Sequence, residues 1–138
     1  MTISNRRFLE KELLRQTILD VAKDIAASDG WQNVTIRKIC DRIGYTAPVI
    51  YQYFDSKEKL LQSLREEGFR LVFEQFELVD KKHTISEIRL MKYANVWWVF
   101  SKNNPEIYQV MFNLQGALCE NNENNQSKMV VNYYNLAF

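Results

Sequence analysis

A short stretch between residues 35 and 60 holds side chains that can contact a nucleic acid. Arg37 and Gln52 carry the donor groups that pair with guanine and adenine in a major groove. Hydroxyl and ammonium groups on the same stretch can donate hydrogen bonds to phosphate oxygens. The hydroxyls of Tyr51 and Tyr53 are such groups. This combination predicts contact with the bases and the backbone of DNA.

Two short helices are predicted to position these side chains. Thr35 precedes an apolar-periodic stretch over residues 36–43, which is typical of an N-cap followed by an amphipathic helix. Gly44 supplies the positive φ at which such a helix can end. Thr46 is predicted to cap a second helix of about two turns, in which Pro48 is tolerated because it falls within the first turn.

The second helix presents small side chains where base edges would lie. Ala47 and Val49, on either side of Pro48, allow close approach of the backbone and can touch a thymine methyl group. Ile50 and Phe54 are four residues apart, which places both on the inward face. Two helices joined by a tight turn form a helix-turn-helix, whose second helix enters the major groove of DNA.

The stretch resembles the DNA-binding domain of the tetracycline-repressor (TetR) family of bacterial transcriptional regulators. The resemblance covers residues 10–65 and is weak beyond them. The matching residues are Gly30, Thr35, Arg37, Ile39, Gly44, Tyr51, Tyr53, Phe54, Lys57 and Leu60. The resemblance implies that bases are faced by Arg37, Ala47, Pro48 and Val49. It implies that the DNA backbone is met by Thr35, Thr46, Tyr51, Tyr53 and Lys57.

Composition fits a compact cytoplasmic protein. The 138 residues are 46% hydrophobic and 13% aromatic, which is ample for a core. Cys40 and Cys119 are too few for a disulfide framework, and neither has a zinc-ligand partner nearby in the sequence. The sequence shows no signal peptide and no apolar run of membrane-spanning length. We therefore predict a cytoplasmic protein with no cofactor, no metal and no membrane partner.

Charge is divided unevenly along the chain. Residues 1–65 contain 11 Lys and Arg against 8 Asp and Glu, a net charge of +3, whereas residues 66–138 contain 7 against 9, a net charge of −2. Arg6, Arg7 and Lys11 can add phosphate contacts, so DNA binding is expected to weaken steeply with salt. The equally open alternative is that these are ordinary solvated charges.

Every other identifiable element is also predicted to be a helix, which gives an all-α fold. An amphipathic helix over residues 9–28 is ended by Gly30. Later helices are predicted at residues 57–79, 84–102, 105–116 and 128–138, with caps at Asp55, Thr84, Asn104 and Ser127 and an Asn-rich loop at 120–126. We predict two domains: a helix-turn-helix domain at residues 1–56 and a helical effector-binding and dimerisation domain at 57–138.

The second half has a heavy aromatic content that can line a pocket for a small effector. The candidate lining residues are Tyr93, Trp97, Trp98, Tyr108, Met111 and Phe112. Trp97 and Trp98 lie about 100° apart on a helix, so both face apolar surroundings only if the helix is widely covered. The alternative, favoured residue by residue, is that these side chains simply fill a helical core.

The resemblance implies a homodimer that represses transcription at a palindromic DNA operator until a small apolar or aromatic effector releases it. Family members are usually longer and dimerise through two final helices. Dimerisation is therefore expected either to need residues beyond this sequence or to use the apolar face at residues 130–138.

Two alternatives belong to other functional classes. An enzyme is disfavoured because His83 is the sole histidine and has no nucleophile at a defined spacing. A truncated or repurposed helical module would keep the fold and bind a ligand or a protein without binding an operator.

Overall fold

Helices form all the regular structure of the part that the computed structural model describes, residues 2–113. In chain order these are α1 (Ile3–Asp29), a 3₁₀ turn (Trp31–Asn33), α2 (Ile36–Ile43), α3 (Ala47–Tyr51), α4 (Lys57–Lys82), α5 (Ser86–Asn103) and α6 (Pro105–Met111). The predicted all-α fold is confirmed. The predictions for Cys119, for the loop at 120–126, for Ser127 and for the apolar face at 130–138 concern residues outside the described part.

The first hydrophobic core holds α1, α2, α3 and the beginning of α4 together. Its fully buried side chains include Ile18, Leu19, Ala22, Ile25, Trp31, Val34, Ile39, Ile50, Leu60 and Leu64. Burying one such aliphatic or aromatic side chain stabilises the fold by about 1.5–3 kcal/mol. Ile50 and Phe54 face inward as predicted. This core fixes α2 and α3 against α1, and its α4 leucines lie beyond the predicted boundary at residue 56.

The second hydrophobic core lies between α4, α5 and α6. Its buried members are Val72, Phe76, Phe100, Ile107 and Met111. Helix α6 contributes to both cores, because Val110 belongs to the first core. None of the described helices combines the length and the apolar content needed to cross a membrane.

Gly68 lies where α4 packs tightly against α6. A Cβ atom added there would lie 2.5 Å from Met111 Sδ and 2.6 Å from Ile107 Cγ2, and both of those side chains are buried. We expect Gly68→Ala to lower the free energy of unfolding by about 1–3 kcal/mol through overpacking. Urea unfolding measures this loss. Gln75→Ala is the control on an exposed position of α4, with an expected change within about 0.5 kcal/mol. An unchanged midpoint for Gly68→Ala would contradict the packing.

The beginnings of two helices differ from prediction. Thr2 caps α1, since its hydroxyl accepts from the Asn5 N–H at 3.4 Å, and the helix therefore starts six residues earlier than residue 9. Ser56, rather than Asp55, caps α4, because its hydroxyl accepts from the Lys59 N–H at 3.3 Å. The start of α1 was missed because residues 3–13 are exposed and the buried positions that mark the helix begin only at Ile18. The α4 error arises because Asp55 and Ser56 are both acceptable caps.

The junction between α4 and α5 also differs. Helix α4 continues to Lys82 instead of ending near Val79, and the His83 N–H still donates to the Val79 carbonyl at 3.0 Å. Thr84 was expected to cap the next helix, but α5 begins at Ser86 and its N-cap position is Ile85. Lysines in a last helical turn interact favourably with the helix dipole, so the cationic stretch does not break α4.

Helix α6 begins as predicted and ends sooner. Asn104 occupies the N-cap position and Pro105 the first helical position, although the Asn104 side chain donates to the Phe100 carbonyl instead of capping. The helix ends at Met111 rather than near residue 116. Asn113 follows with a φ of 53°, a left-handed conformation that a helix cannot continue through.

Candidate nucleic-acid interface

Helix α2 starts with the cap that the sequence predicts. The Thr35 hydroxyl accepts from the Lys38 N–H at 3.2 Å. The remaining N–H groups of a first helical turn have no partner within the helix, and the positive end of the helix dipole lies there. The exposed Thr35 and Arg37 therefore lie at an end of α2 that attracts anions.

The turn between α2 and α3 also follows the prediction. Gly44 has a φ of 73°, in the left-handed region, and its N–H donates to the Cys40 carbonyl at 2.9 Å. Thr46 occupies the N-cap position of α3, and its carbonyl accepts from the Ile50 N–H at 3.3 Å. Its side chain makes no capping hydrogen bond. The exposed Thr46 hydroxyl remains available to a ligand.

Helix α3 is shorter than the predicted two turns. It spans five residues, with Pro48 in its first turn, and then tightens. The Gln52 N–H donates to the Val49 carbonyl at 3.2 Å and the Tyr53 N–H to the Ile50 carbonyl at 2.9 Å. These bonds have the three-residue spacing of a 3₁₀ turn, so the coil tightens directly after the helix. The Phe54 N–H then donates to the Ile50 carbonyl at 3.1 Å, a four-residue spacing.

Most side chains predicted to meet DNA are accessible. We call the set formed by the capped start of α2 and the solvent side of α3 the α2–α3 surface. Its exposed members are Thr35, Arg37, Thr46, Pro48, Tyr51 and Gln52, and its half-buried members are Ala47 and Val49. The side chains of Arg37, Tyr51 and Gln52 make no hydrogen bond or ion pair with any residue of the described part. Their donor groups are free to bind an external partner.

Two predicted backbone contacts differ from the rest. Tyr53 is half-buried and packs against the first core. The Lys57 ammonium donates to the Trp31 carbonyl at 2.6 Å. Its partial removal from water lowers the pKa of Lys57, an effect that the neighbouring Glu58 carboxylate opposes. The structure therefore engages Lys57 inside the protein, and its predicted phosphate contact is not preformed.

Several cations in the first half of the chain are already paired with other residues of the protein. Lys38 Nζ lies 3.4 Å from Asp29 Oδ2, and Arg6 Nε lies 2.9 Å from Glu10 Oε1. The Arg15 guanidinium lies over the Phe54 ring, 5.3 Å from its centroid. Exposed pairs of this kind contribute little and exchange easily for other partners.

Trp31 is a structural residue that sequence reasoning missed. Its side chain is fully buried, and its indole Nε1 donates to the Glu106 carbonyl at the start of α6 at 3.0 Å. Its own carbonyl accepts from both the Val34 N–H and the Lys57 ammonium. The sequence indicates only that a large aromatic residue directly follows the helix-ending Gly30. It does not indicate which residues form hydrogen bonds with Trp31.

The aromatic residues predicted to line an effector pocket separate into two groups. Tyr93, Trp97 and Tyr108 pack against the second core, to which Met111 belongs, and Phe112 contacts the Tyr108 ring at a centroid distance of 4.8 Å. The structure thus brings five of the six together.

Trp98 is the sixth, and it lies apart from the others. It is 64% exposed, with Lys102 Nζ 4.8 Å from its ring centroid.

Within residues 2–113, no group of three or more His, Cys, Asp or Glu is arranged to hold a metal ion.

The two threonines at helix starts give a matched test of the interface geometry. We expect Thr35→Ala to lower the free energy of unfolding by about 1 kcal/mol, because it removes the hydroxyl that accepts from Lys38 N–H. Thr46→Ala removes no capping bond and is expected to stay within about 0.5 kcal/mol. Urea denaturation of both variants measures the two changes in the free energy of unfolding. Equal losses would contradict the assigned capping.

Known proteins share sequence with the part of the chain that contains the α2–α3 surface. The model described as bacterial regulatory proteins, tetR family, matches residues 18–64. A nucleoid occlusion factor SlmA from Photorhabdus laumondii is 30% identical over 105 residues, which cover 74% of this chain and 52% of the relative. The same factor from Marinobacter nauticus is 24% identical over 102 residues, again 74% and 52%. The chain spans about half the length of the curated relatives it matches.

A solved structure supports the fold. The crystal structure of a regulatory protein designated SCO4313 matches with a TM-score of 0.66 and 21% identity, covering 75% of this chain and 49% of that one. The matched family consists of regulatory proteins, in agreement with the prediction that the chain is not an enzyme. The family match covers the helix-turn-helix and the whole α2–α3 surface, and it ends within the first core. The helix-turn-helix region at residues 18–64 therefore belongs to the tetR family of bacterial regulatory proteins.

Proposed function

We propose that the chain is a sequence-specific DNA-binding transcription regulator that uses the α2–α3 surface. The observation that carries the proposal is the free guanidinium of Arg37 on a helix whose opposite face, at Ile39, is fully buried in the first core. Packing of Ile39 therefore sets the position of the α2 backbone at Arg37 before DNA binds. The planar guanidinium of an Arg side chain is suited to bidentate pairing with guanine.

The rest of the α2–α3 surface fits a major groove. Ala47, Pro48 and Val49 are small enough to let α3 approach base edges, and Gln52 has the amide that pairs with adenine. The hydroxyls of Thr46 and Tyr51 flank them and can donate to phosphates, which fixes orientation without reading sequence. Base discrimination is then concentrated on Arg37 and Gln52.

The regulator acts as a homodimer on a palindromic operator. One α3 helix reads only a few base pairs, so tight binding needs two copies at half-sites about 34–36 Å apart or a multiple of that distance. Repression follows when the dimer occupies a promoter. We place the helix-turn-helix domain at residues 1–56 and the effector-binding and dimerisation domain at 57–138, in a cytoplasmic protein.

The effector is a small apolar or aromatic molecule that binds beside the second core. Tyr93, Trp97, Tyr108, Met111 and Phe112 supply the aromatic and thioether surface, whereas Trp98 lies outside this group. Helix α6 connects this region with the first core through Val110. An effector that favours one position of α6 shifts the population away from the DNA-binding arrangement.

Nucleoid occlusion is the second candidate, because it is the function named for several relatives at 24–30% identity. Both functions would use the same DNA-binding surface. Deletion of the gene separates them. Division septa that form across chromosomes would favour nucleoid occlusion, whereas changed transcript levels of neighbouring genes without a division defect would favour transcription regulation.

Selection from a random pool of DNA duplexes tests the proposed function. The full chain should enrich a palindromic sequence whose half-sites contain a guanine that becomes degenerate when the selection is repeated with Arg37→Ala. Absence of enrichment would contradict the proposal. It would favour the helical module that binds a ligand or a protein without an operator.

A further inference from the structure

Lys57 and Trp31 join three parts of the molecule at one point. The Lys57 ammonium, at the first residue of α4, donates to the Trp31 carbonyl at 2.6 Å. The Trp31 indole donates to the Glu106 carbonyl at 3.0 Å, which ties the same residue to α6. These partners are separated by 26 and 75 residues in the sequence. The contacts therefore fix the relative positions of α4, α6 and the 3₁₀ turn.

The Trp31 carbonyl is saturated by its donors. It accepts from the Val34 N–H at 3.1 Å as well as from Lys57, which uses both lone pairs of a carbonyl oxygen. A bond from an ammonium group is charge-assisted and stronger than a neutral one. Turning Lys57 toward a DNA phosphate would break this bond and leave one lone pair without its partner.

The position of Trp31 determines where α2 begins. Only three residues lie between Trp31 and Thr35, the cap of α2, and one of them, Val34, is buried. Asn33 also holds this segment, since its side-chain amide donates to the Asp29 carbonyl at 2.6 Å. A shift of Trp31 would therefore shift the start of α2 and the Arg37 side chain in its first turn.

We infer that Lys57 and Trp31 form a latch that holds the start of α2 in place, and that Lys57 supports DNA binding by positioning α2 rather than by contacting phosphate. The inference rests on the proposed DNA-binding function. It differs from the role that the family resemblance implies for Lys57, which is a direct contact with the DNA backbone.

Salt dependence separates the two roles of Lys57. Each phosphate contact releases counterions, so the loss of one lowers the slope of log affinity against log salt concentration by about one. We expect Lys57→Met to weaken binding about five-fold or more at every salt concentration with the slope unchanged. Lys59→Met is the matched control in the same first turn of α4, where Lys59 is exposed, and its affinity should remain close to that of the wild type. The DNA duplex used in these binding measurements is the one that the wild-type chain enriches from a random pool.

Amide hydrogen exchange of the free protein tests the latch without DNA. In Lys57→Met, the amides of Val34 and Ile39, which donate to the Trp31 and Thr35 carbonyls, should exchange several-fold faster. The amide of Arg89, which donates to the Ile85 carbonyl in α5, should keep its rate. Faster exchange everywhere would show general destabilisation and overturn a local latch.

Each result decides between the two roles. A slope lowered by about one, or an unchanged affinity, would overturn the positioning role of Lys57. Unchanged exchange at Val34 and Ile39 would overturn the latch itself. Failure of the wild-type chain to bind any duplex would overturn the proposed function instead, and hydrogen exchange alone would then decide whether the latch exists.

Discussion

Replacing Arg37 by alanine is expected to remove most of the sequence preference of DNA binding. Arg37 has the exposed guanidinium of the α2–α3 surface, and a bidentate contact with guanine contributes about 1–3 kcal/mol of discrimination. That range corresponds to about a five-fold to 150-fold loss of preference for the selected operator over a scrambled duplex. Competition binding with the two duplexes measures the ratio directly.

The control for Arg37→Ala must remove the same charge elsewhere. Arg70 lies exposed on α4 and pairs with Glu74 at 2.6 Å, away from the α2–α3 surface. Arg70→Ala should keep the preference, with at most a uniform loss of affinity from the changed net charge. Equal losses of preference in the two variants would show that Arg37 acts through charge alone and would contradict a base contact.

Truncating Trp31 is expected to cause the largest loss of stability among the substitutions considered. The side chain is fully buried in the first core and its indole bonds to α6, so Trp31→Ala should lower the free energy of unfolding by about 3–5 kcal/mol. The total free energy of unfolding of a native protein is about 5–15 kcal/mol, so this loss is enough to bring the variant close to complete unfolding. Urea titration followed by circular dichroism measures it.

Two further variants make the Trp31 result interpretable. Trp31→Phe keeps an aromatic ring and removes the indole N–H. Its free energy of unfolding should therefore fall less than that of Trp31→Ala, and the variant should remain folded. Trp98→Ala removes a tryptophan that is 64% exposed, where the contact with Lys102 contributes about 0.5–1 kcal/mol. A Trp98→Ala variant as unstable as Trp31→Ala would contradict the assignment of these two side chains to solvent and core.

Local signals in the sequence predicted the helix-turn-helix well. Thr35 caps α2, Gly44 ends it with a positive φ, and Ile50 and Phe54 face the core. Each of these features depends on residues within one or two helical turns, where spacing and side-chain chemistry determine the geometry. The contribution of α1 to the first core was also predictable, because its inward-facing residues recur with the spacing of an amphipathic helix.

Features that depend on distant partners were not predictable in the same way. The bonds from Lys57 to Trp31 and from Trp31 to Glu106 join residues far apart in the sequence, and no spacing rule encodes them. Trp97 and Trp98 are adjacent and chemically identical, yet only Trp97 packs against the second core. Which of two neighbours faces inward is decided by the packing of α5 on α4 and α6.

The most direct test of the central claim is the fluorescence anisotropy of a labelled duplex from the flank of the gene, titrated with the full chain. The α2–α3 surface predicts saturable binding that weakens with salt, prefers this duplex over a scrambled one, and falls in Tyr51→Ala, which removes an exposed hydroxyl. Binding that is absent, or that ignores both the sequence and the Tyr51 substitution, would contradict DNA recognition by this surface.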